Sequence, residues 1–323
     1  MLVNENIKNE IIIKIDIDQN DINKKVYFLN NVKDSDINIK DSNPQLNQIN
    51  NYEVIIKLEN SDKDVIYFPK YFIPEIEGQY KIIILFKEII SNCSFMFYNC
   101  ENIIILDFTN FNSNKITNMA FIFSNCKKLK NINFTNFITD NIQNMEESFS
   151  NCENLERIDL SFIKTKNVKF MNLMFDNCIN LEEIIFPKEL NLENVVNFGG
   201  MFYGCSKLKK LDLSGFYTKN IEIMNRMFYG CFNLQIIIFG NFNTKKVITM
   251  EKMFYKCLSL KRLDLSSFET DNVVNMNEMF YKCINIEEID LTRFNFKNVK
   301  NVKNMFLGCE NLSNILNQNI IFK

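Results

Sequence analysis

From about residue 93 onward the apolar residues of this chain recur in one fixed pattern. In the stretch Asn275-Met-Asn-Glu-Met-Phe-Tyr-Lys-Cys283, the side chains of Met276, Met279, Phe280 and Cys283 stand at i, i+3, i+4 and i+7. That spacing predicts one face of a two-turn helix. The period then loosens to Ile286, Ile289 and Leu291, the last two alternating about Asp290 as in a short strand. Phe294 and Val299 follow in a return loop. One unit is therefore expected to be a short helix, a short strand and a loop.

The unit repeats. Nine of the ten cysteines fall at Cys100, Cys126, Cys152, Cys178, Cys205, Cys231, Cys257, Cys283 and Cys309, every step being 26 residues except the 27 from Cys178 to Cys205. Three positions before each lies a phenylalanine, from Phe97 through Phe123, Phe149, Phe175, Phe202, Phe228, Phe254 and Phe280 to Phe306. One position earlier stands an apolar residue in every unit but one, where Ser148 takes the place. Eight full units and a closing fragment follow from this register. The unit ending at Cys205 departs from it, with an extra residue around Pro187-Lys188 and Phe198-Gly199-Gly200 where others have Met-x-x. Cys93 stands outside the series and is expected at the junction with the preceding segment.

The strand phrase Leu260-Lys-Arg-Leu-Asp-Leu-Ser266 has the L-x-x-L-x-L form of a leucine-rich repeat, and 26 residues lies in that class's range. Together with Asn272-Val-Val-Asn-Met-Asn-Glu-Met-Phe-Tyr-Lys-Cys283 and Leu208-Lys-Lys-Leu-Asp-Leu-Ser-Gly-Phe216, it resembles the BspA-like leucine-rich repeats over roughly residues 93 to 315. The resemblance implies a solenoid used for binding or adhesion rather than catalysis, in a family many of whose members are surface-exposed. The expected fold over residues 93–323 is an α/β solenoid, a right-handed, leucine-rich-repeat-like array of short parallel strands and short helices.

Residues 1–92 lack the repeat. Glu10–Ile17, Lys25–Leu29, Tyr52–Leu58, Val65–Phe68 and Tyr80–Phe86 read as β-strands, with a polar loop from about Val32 to Asn50. Glu77-Gly-Gln-Tyr-Lys-Ile is similar to late strands of sandwich domains. A small all-β domain is expected, capping the first coil, whose apolar end needs cover. At the other end Ile315-Leu316 and Ile320-Ile321-Phe322 make a poor cap, open to a short strand or to self-association through the C-terminal coil.

Composition narrows the function classes. A formal charge of −2 argues against nucleic-acid binding. Apolar residues make up 46%, enough for a core, and no apolar stretch approaches the roughly 20 residues of a membrane span. The N-terminus shows no basic segment followed by an apolar run, so a cytoplasmic protein is expected, with a cell-surface protein as the alternative. Heavy use of Asn, Ile, Lys and Phe reads as codon bias.

The regular cysteines could form a disulfide ladder, a soft-metal array or a buried column. Nine is odd, the chain has no histidine, and each Cys ends an apolar face, where a free thiol packs as a small hydrophobe. The buried column is the reading taken, which fits a reducing compartment. No cofactor or metal is implied. Without histidine, and without a glycine-rich phosphate loop, no catalytic constellation appears.

The remaining columns divide into structural and exposed sets. Asn141, Asn167, Asn194, Asn220, Asn272 and Asn298, with Lys115 and Lys246 as substitutes, are expected to satisfy backbone groups in the return turn. Thr139, Thr165, Thr218, Thr244 and Thr270 precede this series by two residues and serve the same turn. On the strands, Asp107, Asn133, Asp159, Ile185, Asp212, Ile238, Asp264 and Asp290 should point outward. Two residues earlier stand Ile105, Asn131, Arg157, Glu183, Lys210, Ile236, Arg262 and Glu288. A plain solvated sheet accounts for the charges, whereas isoleucines ringed by charge suit an interface. The partner-binding candidates are Asp159, Ile185, Asp212, Ile236, Ile238 and Asp264, and the expected partner is a protein. Stacked aspartates offer no loop that gathers the six or more oxygens of a calcium site.

Overall fold

A computed structural model describes residues 9–30, 54–58, 70–240 and 242–316. The strands β1 (Glu10–Ile17), β2 (Val26–Tyr27), β3 (Val54–Leu58), β4 (Tyr71–Phe72) and β5 (Gly78–Phe86) precede the array. Within it run β6 (Ile103–Asp107), β7 (Asn131–Asn133), β8 (Arg157–Asp159), β9 (Glu183–Ile185), β10 (Leu190–Leu192), β11 (Lys210–Asp212), β12 (Phe216–Thr218), β13 (Ile236–Ile238), β14 (Glu288–Asp290) and β15 (Asn314–Leu316). The strand read at Val65–Phe68, the polar loop from Val32 and the apolar run Ile320–Phe322 lie outside the described residues.

The first strands build directly onto the array. One sheet has the order β3-β5-β1-β6-β7, with β1 antiparallel to both β5 and β6 and β6 parallel to β7. Ile11, Ile13 and Ile15 of β1 are fully buried, as is Ile84 of β5. One hydrophobic core runs from Ile11 to Met305, with Phe95 and Tyr98 in a small separate cluster. The apolar top of the first coil is thus covered by antiparallel pairing rather than by a docked face, which also satisfies the backbone groups of β6.

The repeat is a β-solenoid. Parallel single-residue bridges step up the chain from Asn92 through Asn118, Asn144, Phe170, Asn197, Ile223, Thr249 and Asn275 to Asn301. The strands pair in parallel with the next coil, as in β8 with β9 and β11 with β13. The stretch 262–264 is not a strand, although Leu263 and Leu265 remain buried there.

The expected helices are absent: no described residue is helical. The apolar face is real, since Met276, Met279, Phe280 and Cys283 are all fully buried. The backbone beneath it is a chain of turns. Met279, Tyr281 and Cys283 donate their N–H groups to the carbonyls three residues back. Met276, Glu278, Phe280 and Lys282 donate instead to Asn301, Lys303, Met305 and Leu307 in the next coil. A helix would spend every N–H within itself and leave nothing to tie the coils together.

The alternation is made possible by left-handed residues. Two positions per coil, one and five before each series cysteine, have positive φ, for example Glu278 (54°) and Lys282 (56°). The position before the cysteine is Asn99, Asn125, Asn151, Asn177, Gly204, Gly230 or Gly308 in seven coils. These are the residue types that enter this region at least cost.

Side-chain columns lock the stack. The rings of the Phe97–Phe306 series lie face to face, with centroids from 5.2 Å (Phe123–Phe149) to 6.0 Å (Phe97–Phe123). Asn141, Asn167, Asn194, Asn220, Asn272 and Asn298 each donate from Nδ2 to a carbonyl of the preceding turn, at 2.6–2.7 Å. Lys246, the substitute in that column, bonds the Asn220 side chain at 2.7 Å. The buried Thr244 and Thr270 each accept an N–H from the following coil and donate a hydroxyl back to it. Cys93 takes the first place in the column continued by Met119, Met145 and Met171, which explains its lone position in the sequence.

The extra residue near Pro187 is absorbed locally. The chain there forms β10, which pairs in parallel with β12 of the next coil. A Cβ on Gly215 would collide with the Lys188 carbonyl oxygen, so the bulge is admitted by a glycine one coil on.

Candidate functional site

The strand face presents the six candidates in two groups. Pairing of β8 with β9 sets Asp159 beside Ile185 and Arg157 beside Glu183, the latter two joined by a 3.0 Å ion pair. Pairing of β11 with β13 sets Lys210 beside Ile236 and Asp212 beside Ile238. No pairing joins β9 to β11, where the extra residue enters, and Asp264 lies on the unpaired stretch 262–264. Ile236 is 50% exposed and Ile238 37%, with Ile237 buried between them. Ile185 is half-buried.

The aspartates have a local role that the sequence reading missed. Asp159, Asp212 and Asp264 each accept the N–H two residues on, from Ser161, Ser214 and Ser266, at 2.9 Å. The serine hydroxyls add a further hydrogen bond, and together these hold all three carboxyls below their ordinary range. Asp107 and Asp290 make the same turn with Thr109 and Thr292. The Asp-x-Ser/Thr phrase is a turn that closes β6, β8, β11, β14 and the stretch 262–264, visible in the sequence as D-L-S where serine follows. Outward-facing aspartates therefore follow from strand termination, while outward-facing isoleucines do not.

Four coils carry a feature not anticipated from the sequence. Tyr203, Tyr229, Tyr255 and Tyr281 stack at 4.4–4.6 Å, two residues before their cysteines. Their ring faces are consumed by one another, and Lys256 and Lys282 lie over Tyr255 and Tyr281. Four tyrosines at equal spacing were a readable signal. In two earlier coils acids stand nearby, Asp176 in the tyrosine column itself and Glu147 at the left-handed position five before Cys152. Burial, with Glu146 and Asp176 nearby, pushes Glu147 up to about 7, and burial pushes Asp176 up to about 6.

The cysteines form no disulfide. Each from Cys126 onward donates its thiol to the carbonyl of a phenylalanine in the preceding coil, at 3.0–3.2 Å. Among the described residues no group of three or more His, Cys, Asp or Glu is placed to hold a metal ion. No helix among them is long and apolar enough to cross a membrane.

Two solved structures resemble this fold. A leucine-rich repeat protein from Bacteroides ovatus is 21% identical, with a TM-score of 0.40 over 66% of this chain and 58% of its own. The chain thus spans less than two thirds of that protein's length. A leucine-rich cell surface protein from Faecalibacterium prausnitzii is 16% identical, with a TM-score of 0.30 over 70% of this chain and 76% of its own. No curated protein matches the chain. The model of a family described as "Mycoplasma protein of unknown function, DUF285" matches residues 91–216, 160–239 and 196–320, which together span the whole array. The chain belongs to the DUF285 family, and its repeats are of the BspA-like leucine-rich kind.

Proposed function

We propose that this protein is a non-enzymatic interaction scaffold that binds another protein along the strand face, centred on Ile236 and Ile238. The observation that carries this reading is the exposure of both isoleucines on β13 beside Lys210 and Asp212. Their coil has no need of them, since Ile237 and Phe239 supply the buried side of the same strand. Apolar anchors ringed by charge are what interfaces use. Ile185 and Asp159 extend the surface toward the N-terminus, and Asp264 borders it on the other side.

The account of the cysteines supports a reducing compartment, since a buried column of hydrogen-bonded thiols gains nothing from oxidation. A cytoplasmic scaffold is the reading we favour. A surface-exposed adhesin, as the BspA-like resemblance implies, is the second reading. Replacing Ile185 and Ile238 together with Asn should leave the melting temperature within a few degrees of wild type and weaken capture of the partner from a native extract. Undiminished capture by a folded double variant would place the binding surface elsewhere.

A further inference from the structure

Ile236 and Ile238 lie between two pairs of cations. In the coil before them, pairing of β11 with β13 sets Lys210 beside Ile236. Gln235 and Ile236 both donate their N–H groups to the Lys209 carbonyl, at 2.9 and 3.2 Å, which fixes Lys209 beside the entry to β13. One coil on from β13 the equivalent places hold Lys261 and Arg262. All four cations are exposed. None of them forms an ion pair with another described residue. The chain as a whole carries a formal charge of −2, so this sign is local.

The acids nearby are committed elsewhere or stand at the border. Asp212 and Asp264 turn back to accept the N–H groups of Ser214 and Ser266. Glu183 is paired with Arg157 at 3.0 Å, and Glu182 lies 4.0 Å from Lys207. Glu287 and Glu288 occupy the same places beyond Lys261 and Arg262 and bound the patch on that side. We propose that the partner presents an acidic segment to this patch. Its apolar side chains rest on Ile236 and Ile238, one flanking carboxylate meets Lys209 and Lys210, and the other meets Lys261 and Arg262. This rests on the strand-face reading above and gives the partner its chemistry. The two cation pairs are separated by two coil steps of about 4.8 Å, or about 10 Å. About three residues of extended chain cover that distance, so the carboxylates flank two apolar residues. Carboxylates facing unpaired cations around an apolar centre favour this partner and exclude a basic one.

Selection of random peptides displayed on phage against the immobilised full chain tests the proposal. Recovered peptides should carry carboxylates on both sides of apolar residues, and their binding should weaken as salt rises. Lys210→Glu combined with Arg262→Glu should weaken them at least about tenfold. Lysine in place of the peptides' acids should restore binding to that variant. Should the double reversal fail to fold, Lys210→Gln with Arg262→Gln removes the charge more mildly and should weaken binding in the same direction. Peptides without acidic bias that are lost on Ile236→Asn would overturn the acidic segment and leave the strand face standing. Peptides indifferent to Ile236→Asn would overturn both, and no enrichment over a blank support would overturn the acidic segment. Self-association in sedimentation, lost in the double reversal, would assign the patch to a second copy instead.

Discussion

The thiol of Cys283 donates a hydrogen bond to the carbonyl oxygen of Phe254, one coil back, at 3.0 Å. The same relation recurs from Cys126 to Cys309. It gives the cysteine column a part beyond filling space: each thiol satisfies the carbonyl of the spine residue on which the next ring stacks. Disulfide formation would remove the proton that makes this bond.

Titration of the denatured, unreduced protein should therefore find all ten cysteines free. In the native protein a thiol reagent should reach Cys309 first. It is the one series cysteine left part-exposed, and burial raises its thiol only to about 11, whereas the interior thiols are pushed further. Recovery of several disulfides would contradict the account of the column.

Stability should fall at alkaline pH. The folded thiols have pKa values above their unfolded value, so their contribution is fully present below about pH 8.5. It is lost as pH rises, because the unfolded chain then holds fewer protons than the folded one. Denaturant midpoints measured from pH 7 to 10 should be level at first and then drop steeply. A flat profile would mean that the thiols are accessible.

Glu147 and Asp176 supply a second pH dependence in a different window. Both are raised by burial, so their contribution is complete below about pH 4 and lost as pH climbs through their folded values of about 7 and about 6. Glu147→Gln should stabilise the protein by about 1–3 kcal/mol at pH 8 and by much less at pH 4. Equal effects at both pH values would show that charge is not the cause.

The spine predicts a gradient along the array. Phe228 is fully buried between Phe202 and Phe254. Its change to Ala should cost about 3–5 kcal/mol. Phe306, half-buried and stacked on Phe280, should cost less. Chemical denaturation of the two variants distinguishes them, and equal losses would argue against an array that thins at its C-terminal coil.

The left-handed positions offer a test of the backbone itself. Lys282, at φ 56°, occupies the place held by Asn or Gly in seven other coils. Lys282→Gly should be neutral or stabilising by up to about 1 kcal/mol, while Lys282→Ile should destabilise, as β-branching is poorly tolerated there. In a helix the order would be reversed, since glycine is the poorer helix former.

That reversal marks how much the sequence disclosed. The period of the cysteines and phenylalanines placed every coil and nearly every buried residue, because a repeat must stack like on like. The same i, i+3, i+4, i+7 spacing suggested a helix, since a run of turns with a left-handed residue every fourth position buries the same face. The correcting signal was Asn or Gly before seven of the nine series cysteines, a helix-breaking type at a fixed place. In the first segment β1 and β5 were legible from their alternation, but the pairing of β1 onto β6 was not, because nothing local encodes a long-range partner. On the strand face Ile236 and Ile238 were correctly placed outside, whereas Ile185 is half-buried. The aspartates' turn role was missed because a charged residue flanked by apolar ones reads equally as surface or as terminator.

The most direct test of the binding face is photo-crosslinking in a native extract, from a photoreactive side chain placed either at Ile238 or at Tyr217. Both are exposed, Ile238 on β13 and Tyr217 on β12, so the two probes sample different strands of neighbouring coils. The proposal predicts a discrete adduct to a second protein from position 238 and none from position 217. An adduct from 217 alone, or equal labelling from both, would contradict it.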